Sequence, residues 1–204
     1  MVTFTERIGR SVGFILDKIV WVVTLIGVSP NTLTLIGLVI NVIAAYLLAN
    51  GRFFEAGLVV IGAGLFDMID GRVARAMNSD TKFGAFFDSV IDRFSDVVLF
   101  IGLIVHYART SQISYVLITC IVLMGAVMTS YARARAESII PKCKIGFTER
   151  PERIVLLIVG ALFNRMAAVL WLMAILSNWT VIDRIIYTWK ETKAMEQRNR
   201  SQSA

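Results

Sequence analysis

Four aspartates interrupt two stretches that are otherwise apolar enough to cross a lipid bilayer, and that conflict limits what the chain can become. Asp67 and Asp70 stand three residues apart in the first stretch, and Asp88 and Asp92 stand four apart in the second. On helices each pair shares one face. Gly71 and Ala74 fall on the stripe of the first pair and Gly84 on that of the second, so each acidic face leaves room for a ligand or a second backbone. A charged side chain deep in a bilayer costs roughly 2.5–3.5 kcal/mol on insertion scales, so the four together cost about 10 kcal/mol before their mutual repulsion. Two arrangements relieve that cost. Hard oxygen ligands suit magnesium, calcium or manganese, and a divalent cation would offset both terms. The alternative is a polar seam in which the aspartates pair with Arg72, Arg75 and Arg93. Small residues beside both pairs favour an acid-lined cleft.

The rest of the chain supports a bilayer setting. Of its 204 residues 56% are hydrophobic, a share few soluble domains of this length reach, and the expectation is an all-α integral membrane protein. Cys120 and Cys143 are too few and too differently placed for a disulfide framework or a metal site. The single histidine, His106, reads as a packed or interfacial side chain. No nucleic-acid partner is expected.

Three parts follow in order. Residues 1–28 carry an amphipathic pattern, with Ile8, Val12, Ile15, Ile19 and Val22 on one stripe and Glu6, Arg7, Arg10, Asp17 and Lys18 elsewhere. They read as a juxtamembrane helix lying in the membrane interface. Residues 29–190 form the membrane domain, with six spanning helices at about 32–50, 53–77, 82–107, 112–139, 151–163 and 166–188. The fifth is short. Residues 191–204 are a polar tail. With the N-terminus in the cytoplasm, eighteen of the 21 Lys and Arg fall on the cytoplasmic side, leaving Arg52, Arg109 and Arg165 outside. Both termini are then cytoplasmic, in a multi-pass protein of the cell membrane. Asp67 lies roughly 22 Å of helix past Arg52, and Asp92 roughly 25 Å before Arg109. Both acidic pairs therefore reach the cytoplasmic third of the bilayer, where a lipid head group and a soluble nucleotide can both enter.

The pattern Asp67-x-x-Asp70-Gly71-x-x-Ala74-Arg75, followed after eight residues by Gly84-x-x-x-Asp88-x-x-x-Asp92, resembles the signature of the CDP-alcohol phosphatidyltransferases. The resemblance implies transfer of a phosphatidyl group from CDP-diacylglycerol to a hydroxyl, with release of CMP. It implies two divalent ions, Mg2+ or alternatively Mn2+, held by Asp67, Asp70, Asp88 and Asp92. Asp92 is the family's usual candidate for the base that takes the hydroxyl proton. Asp67, Gly71, Ala74, Arg75 and Gly84 would surround the cytidine diphosphate, with Arg75 touching phosphate, and the protein would be a homodimer. Asp96, one turn past Asp92, reads as structural.

The acceptor is hinted at by arginines gathered at one depth. Arg133 and Arg135 close the fourth span, Arg153 opens the fifth beside Pro151, and Arg184 reaches the same level from Arg165. Several guanidinium groups near a helix N-terminus suit a phosphorylated polyol acceptor. Lys142, Lys144 and Arg150 read instead as positive-inside anchors. The Ser130–Glu137 stretch and the Glu149-Arg150-Pro151-Glu152-Arg153 run are similar to those of phosphatidylinositol phosphate synthases, which implies inositol phosphate as acceptor. Arg133 stands where those enzymes usually have lysine, and the loop from Ile139 to Ile145 contains lysine where theirs is richer in glycine. Phosphatidylglycerophosphate synthesis is the rival within the family. A small cation-coupled transporter is the rival outside it; that reading explains the aspartates but not Gly71, Ala74, Arg75 and Gly84 at their spacings.

Overall fold

The computed structural model describes residues 29–76 and 81–202, apart from the side chains of residues 68, 70–72, 74–76 and 202. The amphipathic segment at 1–28 lies outside the described residues. Six helices follow one another: α1 Pro30–Ala49, α2 Phe53–Ala76, α3 Lys82–Arg109, α4 Ile113–Glu137, α5 Arg150–Leu162 and α6 Met166–Gln202. Their ends are set by local chemistry. The Thr32 amide donates to Ser29 Oγ at the start of α1, and Pro30 occupies the first turn, where a missing N–H costs nothing. At the start of α3 the Gly84 amide donates to Thr81 Oγ1 across 2.9 Å. α5 opens with the Glu149 amide donating to Glu152 Oε2 and with Pro151 in its first turn. Gly51 adopts a left-handed φ of 74° between α1 and α2, a conformation that favours glycine.

α1 packs against α2 and α3, α4 against α3 and α6, and α5 against α2 and α6. The contacts are close because small residues sit at the crossings, as membrane helices favour. A Cβ on Gly102 of α3 would lie 2.4 Å from the Ala45 carbonyl oxygen of α1, and one on Gly125 of α4 would lie 2.8 Å from Ser177 Cβ of α6. Leu48, Val60, Leu99, Leu103, Val122 and Met173 fill the interior. The outward faces are apolar too: Val39, Ile43, Leu117, Ile175, Trp179 and Ile185 are all exposed. Such faces would be unstable in water and are what hydrocarbon solvates.

Among the described residues, three helices are long and apolar enough to cross a membrane: Pro30–Ala49, Ile113–Glu137 and Met166–Ser201. α2 and α3 carry the aspartates. α5 has 13 residues, about 20 Å of helix, against a hydrocarbon core of about 30 Å. α6 continues to Gln202, well past residue 188, so most of the polar tail is helical. The run from Lys190 to Arg198 is rich in strong helix formers and holds neither glycine nor proline.

Candidate active site

Asp67 of α2 comes together with Asp88 and Asp92 of α3. Carboxylate oxygens of Asp67, Asp88 and Asp92 all lie within 4.8 Å of one another. Three carboxylates at that separation repel, and Asp88 Oδ1 is buried without a hydrogen-bond partner. An orphaned carboxylate oxygen among converging acids is a fitting donor set for a hard divalent cation, which prefers oxygen. The side chains of Asp70, Gly71, Ala74 and Arg75 lie outside the described residues. Gly84 stands one turn before Asp88, and a Cβ there would come 3.1 Å from Thr81 Oγ1 and 3.7 Å from Asn31 Oδ1.

An arginine that reads from sequence as a surface anchor is at the centre of this cluster. Arg150 Nη1 lies 2.9 Å from Asp67 Oδ2 and 2.8 Å from Asp92 Oδ1, with Nε 3.6 Å from Asp96 Oδ1. The spacing gives a shared face without saying which way it turns. Arg150 precedes Arg153 by three residues at the start of one helix, so both share a face, and that face turns toward the acids. Arg93, a candidate partner for the aspartates, bonds instead to the Ser89 carbonyl of its own helix. Asp96 stands apart from the three-oxygen group and accepts from Arg153 Nη2 at 2.7 Å.

Behind the cluster, a cavity of about 410 Å³ runs between α1, α2, α3 and α5. Asp67, Asp92 and Arg150 are among its polar lining, while Val60, Ile61 and Ile154 are among its apolar lining. Gly37 and Gly64 also line it, and a Cβ on either would meet nothing within 4 Å. The absence of side chains at these positions leaves real space.

The other arginines divide. Arg133 Nη1 and Arg184 Nη2 converge on one oxygen, Glu149 Oε1, at 2.9 and 3.1 Å. Arg133 Nε also reaches Glu137 at 3.2 Å. Arg184, 2% exposed, donates further to the carbonyls of Thr129 and Ile145. Arg153 is equally buried, and its Nε and Nη1 have no hydrogen-bond partner. Arg135 is exposed and reaches Ser138 Oγ at the end of its own helix. His106 packs edge-on against Phe53 with ring centres 4.9 Å apart. Cys120 and Cys143 are both free.

A helical bundle with apolar outer faces, and an acidic cluster at the edge of a largely apolar cavity, fits a membrane protein with a site for a divalent cation. Known proteins agree. Residues 27–189 match the family CDP-alcohol phosphatidyltransferase, and the chain belongs to that family. It is 35% identical to an archaetidylinositol phosphate synthase of Pyrococcus horikoshii over 88% of each chain. It is 34% identical to a phosphatidylinositol phosphate synthase of Mycobacteroides abscessus, over 78% of this chain and 76% of that one. The crystal structure of Mycobacterium tuberculosis phosphatidylinositol phosphate synthase with CDP-DAG bound superposes with a TM-score of 0.81 at 32% identity, covering 86% of this chain and 94% of that one. A second structure of that enzyme, in complex with manganese and citrate, gives a TM-score of 0.78 at 32% identity, over 85% and 88%. The chain is thus a transferase of phospholipid biosynthesis that moves a phosphatidyl group from a CDP-linked lipid to a hydroxyl.

Proposed function

We propose that the acceptor is inositol phosphate and that the product is a phosphatidylinositol phosphate or its counterpart with other lipid tails. The observation that carries this reading is Arg153, a buried guanidinium whose Nε and Nη1 have no partner while Nη2 is tied to Asp96. Free, desolvated N–H groups on a buried guanidinium suit the oxygens of a phosphate. Arg133 and Arg184 meet at Glu149, the residue that caps α5, and belong to the same proposed set. Arg135, exposed at the end of α4, belongs to the same proposed set. The relatives named above differ in their lipid but share inositol phosphate in their names.

In the reaction an acceptor hydroxyl oxygen bonds to the phosphorus that carries the lipid. The bond from that phosphorus to the bridging oxygen breaks, and the electron pair leaves on CMP. Asp92, on the inner turn of α3 with its side chain 18% exposed, takes the hydroxyl proton. Asp67, Asp70, Asp88 and Asp92 would hold two Mg2+ ions, or Mn2+, whose charge would offset that of the diphosphate. Asp67, Gly71, Ala74, Arg75 and Gly84 surround the cytidine diphosphate, and the apolar cavity takes part of the lipid tails. Burying the hydroxyl among these groups keeps water from the phosphorus.

The family resemblance supports a homodimer. The Lys and Arg asymmetry supports six spans, with both termini and the acidic cluster on the cytoplasmic side of the cell membrane. The test is an acceptor panel: labelled CDP-diacylglycerol with inositol phosphate, glycerol phosphate, serine or inositol, read as CMP release. Inositol phosphate should be the best substrate. Turnover with glycerol phosphate alone would move the assignment to phosphatidylglycerophosphate synthesis.

A further inference from the structure

Arg150 and a divalent cation have the same partners. The guanidinium takes one oxygen from Asp67 and one from Asp92, and these two residues supply two of the three acids that converge within 4.8 Å. A magnesium ion sits about 2.0–2.1 Å from each ligand oxygen. An ion drawn to Asp67 and Asp92 would therefore come within a few ångströms of a guanidinium nitrogen still bound to them. Two positive charges at that separation repel, and water screens them only in part because Arg150 is 23% and Asp92 18% exposed. Both cannot be held in full.

Arg150 is also built to leave. Its side chain is 23% exposed and stands on the first residue of α5, and its Nε has no hydrogen-bond partner. Arg153, one turn further along, is 2% exposed and shares Asp96 at 2.7 Å. Both arginines are held by carboxylates, and Arg150 reaches its own from the more exposed position. Without Arg150, the half-buried Asp88 and Asp92 and the exposed Asp67 would face one another with that compensating charge removed.

We propose that Arg150 is a displaceable internal cation, which neutralises Asp67 and Asp92 in the metal-free protein and must swing away for a divalent ion to bind. This rests on the metal reading of the acidic cluster. It makes Arg150 a positioning residue that sets how tightly, and over what range of ion concentration, the site loads.

The experiment uses the full chain in detergent, stripped with chelator and titrated with Mn2+, with free ion followed by electron paramagnetic resonance. Arg150→Gln should bind Mn2+ roughly tenfold more tightly than the wild type. Arg150→Lys keeps a charge but loses the fork that bridges two acids, and should fall between them. Arg52→Gln removes a charge that pairs with Glu55 at the far end of α2 and should match the wild type. In chelator Arg150→Gln should unfold at a lower temperature than the wild type, and saturating Mn2+ should close that gap. Affinity in Arg150→Gln equal to or weaker than wild type would overturn the inference alone, as would equal tightening in Arg52→Gln. If Arg150→Gln does not fold, Arg150→Lys decides by the same measure. A wild type that binds no Mn2+ would remove the metal site itself.

Discussion

Arg153 Nη2 donates to Asp96 Oδ2 across 2.7 Å, with the two side chains only 2% and 5% exposed. The pair joins the N-terminal turn of α5 to the middle of α3, and it leaves two guanidinium donors uncommitted. Removing one member strands the other as a buried charge. Asp96→Ala should therefore destabilise the protein by about 3–5 kcal/mol. Thermal unfolding in detergent measures it, and an unchanged midpoint would show that the pair carries no such weight.

Arg153→Lys keeps the charge near Asp96 but replaces a planar fork with a single ammonium. The apparent KM for inositol phosphate should rise about tenfold, about 1.4 kcal/mol of lost binding, with the KM for CDP-diacylglycerol unmoved. Steady-state kinetics with each substrate varied in turn separates the two. Equal changes in both constants would point to a structural role instead.

Gly102 allows α3 to cross α1 at near contact, since a Cβ there would fall 2.4 Å from the Ala45 carbonyl oxygen. The obstacle is backbone, which cannot rotate aside. Gly102→Ala should cost about 1–3 kcal/mol by overpacking, against the usual gain from replacing a helical glycine. The midpoint of thermal unfolding should fall, and a rise would mean that the two helices can separate at little cost.

Gly64 presents the opposite case, because nothing lies within 4 Å of where its Cβ would be and the space belongs to the cavity. Gly64→Leu should leave the unfolding midpoint unchanged or slightly raised. It should also raise the apparent KM for the CDP-lipid severalfold by taking up room for its tails. Unaltered lipid kinetics would place the tails elsewhere.

Arg184 ties the segment between α4 and α5 to α6 through the Ile145 carbonyl and Glu149, and ties α4 to α6 through the Thr129 carbonyl. Arg184→Met keeps much of the apolar stem and removes all three donors. The segment holding Lys142 and Lys144 should then be cut by trypsin at least severalfold faster than in the wild type. Limited proteolysis with mass analysis of the fragments reads this directly, and equal cutting rates would show that other contacts hold the segment.

Much of the scaffold was legible in the residues because the signals are local. The helices begin within a few residues of where hydropathy places the spans, and Ser29, Thr81 and Pro151 mark their starts. The end of α6 was not legible from hydropathy, since a polar run of strong helix formers continues a helix after it has ceased to be apolar. Spacing put Asp88 and Asp92 on one face of α3, and the fold brings that face to Asp67. The role of Arg150 was hidden. Positive residues near a cytoplasmic surface read alike whether they anchor the protein or turn inward, and Lys142, Lys144 and Arg150 lie within nine residues of one another.

The sequence by itself determined that this is a helical membrane protein of a phosphatidyl-transferring family, and it put Asp88 and Asp92 on one helix face. Those properties depend on apolar run length and on spacings of three and four residues, both local to a helix. Only the tertiary structure decided which charge meets which. Arg150 and Asp67 are 83 residues apart, and Arg153 and Asp96 are 57 apart. Their meeting depends on how α5 settles beside α2 and α3, which is set by packing over the whole bundle. An ion pair at that range has no signature in either partner's neighbourhood, because its energy arises only after the helices have come together.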